Sequence, residues 1–167
     1  QLNLSQPPSF AAVAREPVGV VAGITPWNFP LDLAAWKFAP ALAVGNVIIV
    51  KPASISPLTT IEMARIFDEV GLPEGVFQVI VGPGGTVGEH LSSSPLVDMV
   101  TLTGSLEVGR CIMRNAADTI KKVGLELGGK SPNIVFADAD FEAAIQGALM
   151  AAFFNTGQVC CAGTRLL

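Results

Sequence analysis

The chain has 167 residues, of which 50% are hydrophobic and 14% charged, and a formal net charge of −4. That length holds one ordinary domain with a real core, and the apolar fraction exceeds what such a domain needs alone, so part of its surface is expected to meet further chain. Lys and Arg are scattered, which excludes the electrostatic footprint of a nucleic-acid or anionic-membrane binder, and the longest apolar run, Phe38 to Val50, is broken by Pro40, Gly45 and Asn46 and is too short to span a bilayer.

Residues 1–15 lack a clear period and read as an arm or an incomplete element. From Pro17 onward, short β-branched runs alternate with stretches of helical period. Strands are predicted at VGVVAGI (18–24), NVIIVK (46–51), VFQVIV (76–81), VDMVTL (97–102) and KKVGLEL (121–127). Helices are predicted at roughly 31–44, 57–70, 86–92 and 105–117, the second opening with Ser56 as N-cap and Pro57 at its first position. Beyond them lie another apolar run, NIVFAD (133–138), a helix-like FEAAIQGALMAAFFN (141–155), a cysteine segment and Leu166-Leu167, which reads as a strand just starting. Apolar strands alternating with crossover helices argue an α/β fold, a doubly wound parallel sheet. A chain that opens on Gln1 and stops in an apolar pair is expected to be a piece of a longer one.

Ligands of such sheets bind outside the carboxyl ends of the strands, and each predicted strand ends in polar or Gly-rich material. The turn Gly82-x-Gly84-x-x-x-Gly88 lacks the GxGxxG spacing of a dinucleotide fingerprint and follows the third strand, so a plain strand-to-helix turn stays open beside a phosphate-binding one. Gly104-Ser105-x-x-x-Gly109 is ambiguous in the same way, because glycine admits a close backbone or phosphate and a helix start offers free N–H groups. Lys51, closing an apolar strand, is either a solvated strand-end charge or an ammonium beside ribose hydroxyls or phosphates. Glu126, between Leu125 and Leu127, is either an outward-facing strand residue or a desolvated acid suited to general-base work.

The chain has three cysteines, Cys111, Cys160 and Cys161, and one histidine, His90. No CxxC or HxxxH spacing supports a zinc site, no redox pair is spaced for a disulfide, and His90 has no orienting feature for a Cys-His pair. An odd cysteine count without a disulfide framework favours a reducing, cytoplasmic compartment. Small buried hydrophobe remains open for Cys111 and for one of the adjacent pair. A nucleophile needs a polarised setting, since a free thiol is only about 3% thiolate at pH 7.

Taken together, PWNFP (26–30), KPAS (51–54), TGSLEVG (103–109), LELGGKSP (125–132) and GQVCCAG (157–163) resemble, in order and interval, the successive signatures of the aldehyde dehydrogenase superfamily. The resemblance covers the chain from about Arg15 to its end. It implies a Rossmann-like cofactor domain over 16–125 and the beginning of a second, catalytic α/β domain over 126–167. It implies Cys160 as the nucleophile, with Cys161 a bystander, Glu126 as the base that activates the deacylating water, and Asn28 as the amide of the oxyanion hole. It implies NAD or NADP as cofactor, reached by Ile24, Pro26, Trp27, Lys51, Ser54, Gly84, Gly88, Gly104, Ser105, Gly109, Glu126, Leu127 and Gly128, and no metal. The substrate it implies is a small aldehyde, and the parent enzyme a homo-oligomer, dimer or tetramer. GPGGTVG and GQVCCAGTRLL are similar to betaine- and amino-aldehyde-type members.

The family often carries Glu where this chain has Ser54, and that acid binds the ribose hydroxyls of NAD. Its absence removes a repulsion toward a 2′-phosphate of ~1–4 kcal/mol, so NADP is expected to serve at least comparably with NAD. The 167 residues alone are expected to show no turnover. A CoA-acylating relative would share Cys160 but usually lacks the base, and a non-catalytic nucleotide binder is not suggested by a complete Asn28, Glu126, Cys160 set.

Overall fold

Each of the five predicted runs forms a strand. The computed structural model describes residues 10–167 and places β1 at Val20–Ile24, β2 at Val47–Lys51, β3 at Phe77–Val79, β4 at Met99–Gly104 and β5 at Lys122–Leu127. Between them run α1 (Pro30–Ala43), α2 (Leu58–Glu69), a wide π-type turn at Gly84–Gly88 that continues into α3 (Glu89–Ser93), and α4 (Leu106–Ala117). Of the expected N-terminal arm, residues 10–15 carry no regular element and residues 1–9 lie outside the described residues.

The sheet is parallel throughout, in the order β3-β2-β1-β4-β5. The chain winds outward from β1 to β3 and then returns to lay β4 on the free side of β1. This reversal makes the fold doubly wound and opens a crevice at the carboxyl ends of β1 and β4. Period-two alternation divides the core between the two faces. Val21, Ile48 and Val50 pack toward Ala34, Phe38 and Ala41 of α1, with Met63 and Phe67 of α2 around them. Ala22, Ile24, Val100 and Leu102 face Leu91 of α3 and Ile112 of α4. Phe38, Phe67 and Phe77 meet edge to face with centroids 4.8–5.5 Å apart, the arrangement aromatic quadrupoles favour.

Two local expectations change. Helix α2 starts at Leu58, and the N–H groups of Thr60 and Ile61 both donate to Pro57 O at 3.1 Å, so the first turn closes on Pro57. Ser56 Oγ is buried without a partner and caps nothing. In the 133–138 run only Asn133 is in a strand, as the end of the two-residue β6 (Pro132–Asn133), because β6 finds one short parallel partner, β7 (Arg165–Leu166). Helix α5 (Phe141–Phe153) follows β6 and is capped by Asp140, whose Oδ1 accepts from Ala143 N at 2.9 Å. Among the described residues no helix is long and apolar enough to cross a membrane.

Candidate active site

Two cavities open at the switch point. The first, about 300 Å³, is walled by Ile24 and Thr25 from the end of β1, Lys51 from β2, Gly84, Gly85 and Gly88 from the wide turn, Ser92 from α3, and Val108, Cys111 and Ile112 from α4. Lys51 is 4% exposed, and its Nζ donates to Pro52 O at 2.8 Å, which leaves two N–H donors of the ammonium for a ligand. Burial lowers its pKa from the ordinary lysine value. Ser105 caps α4 by accepting from Val108 N at 3.2 Å, so a twelve-residue helix presents its positive end beside Gly104. Thr25, another wall residue, keeps a buried Oγ1 without a partner. A slot with glycine walls, a donor-rich ammonium and a helix N-terminus suits a dinucleotide, so the residues present fit that cofactor.

The second cavity is lined by Pro26, Trp27 and Asn28, by Ser105 and Gly128, and by Gly157, Gln158, Val159 and Cys160, and it shares Thr103 and Gly104 with the first. The end of β4 is therefore the common wall between a nucleotide-sized slot and a chamber holding an exposed thiol. Asn28 Nδ2 donates to Gln158 O at 2.9 Å, and Asn155 Nδ2 donates to Asn28 O at 3.2 Å. Beside them, the rings of Phe29 and Phe154 stack with centroids 6.2 Å apart at 15°. The turn that leaves β1 is thus joined, at Asn28 and Phe29, to Phe154, Asn155 and Gln158 of the segment that carries Cys160.

Glu126 is exposed near the end of β5, in register with Thr103 of β4. Lys37 of α1, 5% exposed, reaches the same register position, with Nζ donating to Thr103 Oγ1 at 2.9 Å and Thr101 Oγ1 at 3.2 Å. Desolvation pulls its pKa down to about 8, partly opposed by the Glu126 carboxylate. Lys37 passes over Gly23 of β1, where a Cβ would stand 3.3 Å from Ile48 Cδ1 and 3.4 Å from Cβ and Cδ of Lys37.

All 167 residues match the model of the aldehyde dehydrogenase family. The chain belongs to that family. It is 54% identical over 161 residues to the betaine aldehyde dehydrogenase of Bacillus subtilis (strain 168), covering 96% of this chain and 33% of that protein. Its fold matches the betaine aldehyde dehydrogenase of Staphylococcus aureus solved in complex with NAD+, with a TM-score of 0.88 and 52% identity over 90% of this chain and 30% of that one. An NADP-dependent enzyme of E. coli gives a TM-score of 0.88 at 48% identity, over 90% and 31%. The chain spans about a third of the length of these relatives.

Within this aldehyde dehydrogenase fold the residues singled out from sequence fall into three groups. Ile24, Lys51, Gly84, Gly88 and Gly104 wall the first cavity, while Pro26, Trp27, Asn28, Gly104, Ser105, Gly128 and Cys160 wall the second. Ser54, Gly109, Glu126 and Leu127 line neither. Ser54 Oγ donates to Gly82 O at 3.0 Å. Gly109 lies inside α4 against β5, where a Cβ would meet Leu127 Cδ2 at 3.0 Å, so its smallness brings helix and strand together. Glu126 is exposed on β5. Three residues at the site escaped the sequence reading, namely Lys37, Phe154 and Asn155. Lys37 had a readable signal: it sits at helical spacing from Leu33, Ala34 and Ala41 on the buried face of α1, where a charge is out of place.

Proposed function

We propose that the complete protein oxidises an aldehyde to a carboxylic acid with NAD+ or NADP+, through a thioester on Cys160. The observation that carries this reading is the chamber in which the Asn28 amide and the Cys160 segment meet, sharing the β4 end with a nucleotide-sized slot. In the first half-reaction Cys160 Sγ, as thiolate, attacks the aldehyde carbon, a C–S bond forms and the carbonyl oxygen takes the charge. The free N–H of Asn28 and the backbone N–H of Cys160 hold that oxyanion, a type of contact whose loss costs roughly 3–4 kcal/mol. The nicotinamide, when bound, supplies the acceptor for the hydride. In the second half Glu126, exposed at its strand end, takes a proton from water as the water oxygen attacks the thioester carbon. The C–S bond breaks, and thiolate and carboxylic acid leave.

Ile24, Pro26, Trp27, Lys51, Ser54, Gly84, Gly88, Gly104, Ser105, Gly109, Leu127 and Gly128 form or buttress the cofactor's seat in this reading, within a cofactor domain over 16–125, and 126–167 opens the catalytic domain. The substrate is an aldehyde of the betaine or amino-aldehyde type, supported by the 54% identity to the Bacillus subtilis enzyme. The enzyme is a cytoplasmic homo-oligomer, and all three cysteines are free, as a reducing compartment keeps them. The test is Glu126→Gln in the complete protein. A single burst of reduced nicotinamide per active site, with an acyl mass on the peptide carrying Cys160, is the expected outcome. An acyl mass on any other residue, or a wild-type product that is a CoA thioester instead of the acid, would overturn the reading.

A further inference from the structure

Residues 155–157 all adopt left-handed backbone, with φ of 49° at Asn155, 59° at Thr156 and 75° at Gly157. Asparagine tolerates this conformation and glycine favours it, but a β-branched threonine does not. A strained stretch three residues before the nucleophile persists only if other contacts over-determine it. Locally Gln158 N donates to Asn155 O at 3.0 Å, and the side chains that hold the stretch against the β1 turn are those of Asn155, Asn28 and the Phe29–Phe154 pair. Asn155 Nδ2 donates to the main-chain oxygen of Asn28 at 3.2 Å and to Gln158 O at 3.4 Å. Gln158 O is the same acceptor that takes a hydrogen from Asn28 Nδ2 at 2.9 Å.

We infer that Asn155 is a positioning residue for the oxyanion hole, acting through Asn28. A carboxamide has two N–H hydrogens. The bond to Gln158 O uses one of them and fixes which end of the Asn28 amide faces the Cys160 segment, since a carbonyl can only accept. The second hydrogen is left as the donor for a substrate oxygen. Asn155 sets where that hydrogen points: its amide holds the backbone of Asn28 and the carbonyl that Asn28 grips, so both ends of the Asn28 side chain are referenced to one group. The Phe29–Phe154 stack, one residue away on each strand of chain, prevents the pair from sliding. Nothing else among the described hydrogen bonds ties the β1 turn to the nucleophile segment.

The inference rests on the oxyanion role proposed for Asn28, and the experiment separates the two. In the complete protein, Asn155→Gly keeps the left-handed backbone and removes the side chain, and Asn155→Asp keeps the shape and removes the donor, so a folding failure of one leaves the other. Each is expected to lower kcat for aldehyde oxidation, and cofactor-free hydrolysis of 4-nitrophenyl acetate, by about 10–100-fold with KM within about threefold. Alkylation of Cys160 by iodoacetamide, a displacement that forms no oxyanion, is expected to keep its wild-type rate. In an Asn28→Ala background the effect of Asn155→Asp is expected to vanish. Parallel loss of alkylation and turnover would mean that Asn155 merely holds the thiol and would overturn the inference. So would full turnover in both variants while Asn28→Ala abolishes it. Full turnover in Asn28→Ala itself would remove the oxyanion reading first.

Discussion

The sheet and the nucleophile segment are held by different physics. Around β1, β2 and β4 the side chains interlock: Ala22, Ile48, Val50 and Val100 are 0% exposed, and two clusters fill both faces. Helix α5, by contrast, buries no residue within this chain, which spans about a third of its relatives' length, and Phe141 and Phe153 are 72% and 68% exposed. The cofactor half thus carries its own core. The Cys160 half is attached to it by the Asn155–Asn28 and Asn28–Gln158 hydrogen bonds and the Phe29–Phe154 stack. A core fixes a slot for a large ligand; a small polar clamp fixes the aim of two reacting groups.

The largest expected effect tests whether the two halves separate functionally. In the complete protein, Cys160→Ala should lower aldehyde oxidation by roughly 1,000-fold or more while leaving nucleotide binding within about twofold of wild type. Equilibrium binding and steady-state rates measure the two, and equal losses in both would break the division. The next effect compares stabilities in this chain. Ile48→Ala opens a cavity in the saturated core and should cost about 2–5 kcal/mol in a urea titration, whereas Leu149→Ala on α5 should cost about 0.5 kcal/mol or less. Similar midpoints for the two variants would mean that α5 packs as tightly as the sheet.

The same contrast explains what could be read from the sequence. Strand identity and order of elements were legible because β1, β2 and β4 are buried on both faces and so appear as continuous β-branched runs. Cys160, Glu126 and Asn28 could be singled out only through their motifs: Asn28 and Cys160 wall one cavity from positions 132 residues apart, and Glu126 lies outside it. The clamp was not legible. Asn155 bonds Asn28 across 127 positions from a left-handed backbone, and neither property leaves a periodic trace. The Ser56 cap misread had a local cause, since Pro57 already closes the first turn through its own carbonyl.

Lys37 belongs wholly to the sheet half, where it bonds Thr101 and Thr103 of β4 and feels Glu126 of β5. Its folded-state pKa of about 8 lies below the ordinary lysine value of 10.5, so between these limits the unfolded chain binds more protons and stability must rise with pH. Below about pH 8 the lysine is charged in both states and the burial penalty is complete; above 10.5 it is neutral in both and the penalty is gone. Relative to Lys37→Met, the wild type is expected to gain about 3 kcal/mol across this window, measured by urea titration at several pH values. A flat difference would show that Lys37 is not desolvated.

The smallest expected effect concerns Ser54, which lines neither cavity and which the proposed function sets near the cofactor's ribose. Ser54 Oγ is engaged with Gly82 O at 3.0 Å and presents no charge, three residues after the buried Lys51. Ser54→Glu would place a carboxylate at that position, where it can accept from ribose hydroxyls but repels a 2′-phosphate by ~1–4 kcal/mol at surface-like dielectric. In the complete protein the wild type is therefore expected to use NADP+ at least as well as NAD+. The variant should shift the ratio of kcat/KM values toward NAD+ by about tenfold, most of it in KM for NADP+. Because the added charge is exposed, the shift should shrink as salt rises from 0.01 to 0.5 M, over which screening shortens from about 30 Å to a few ångströms. A wild type that already prefers NAD+, with a ratio unmoved by Ser54→Glu, would mean that discrimination is set by residues other than Ser54.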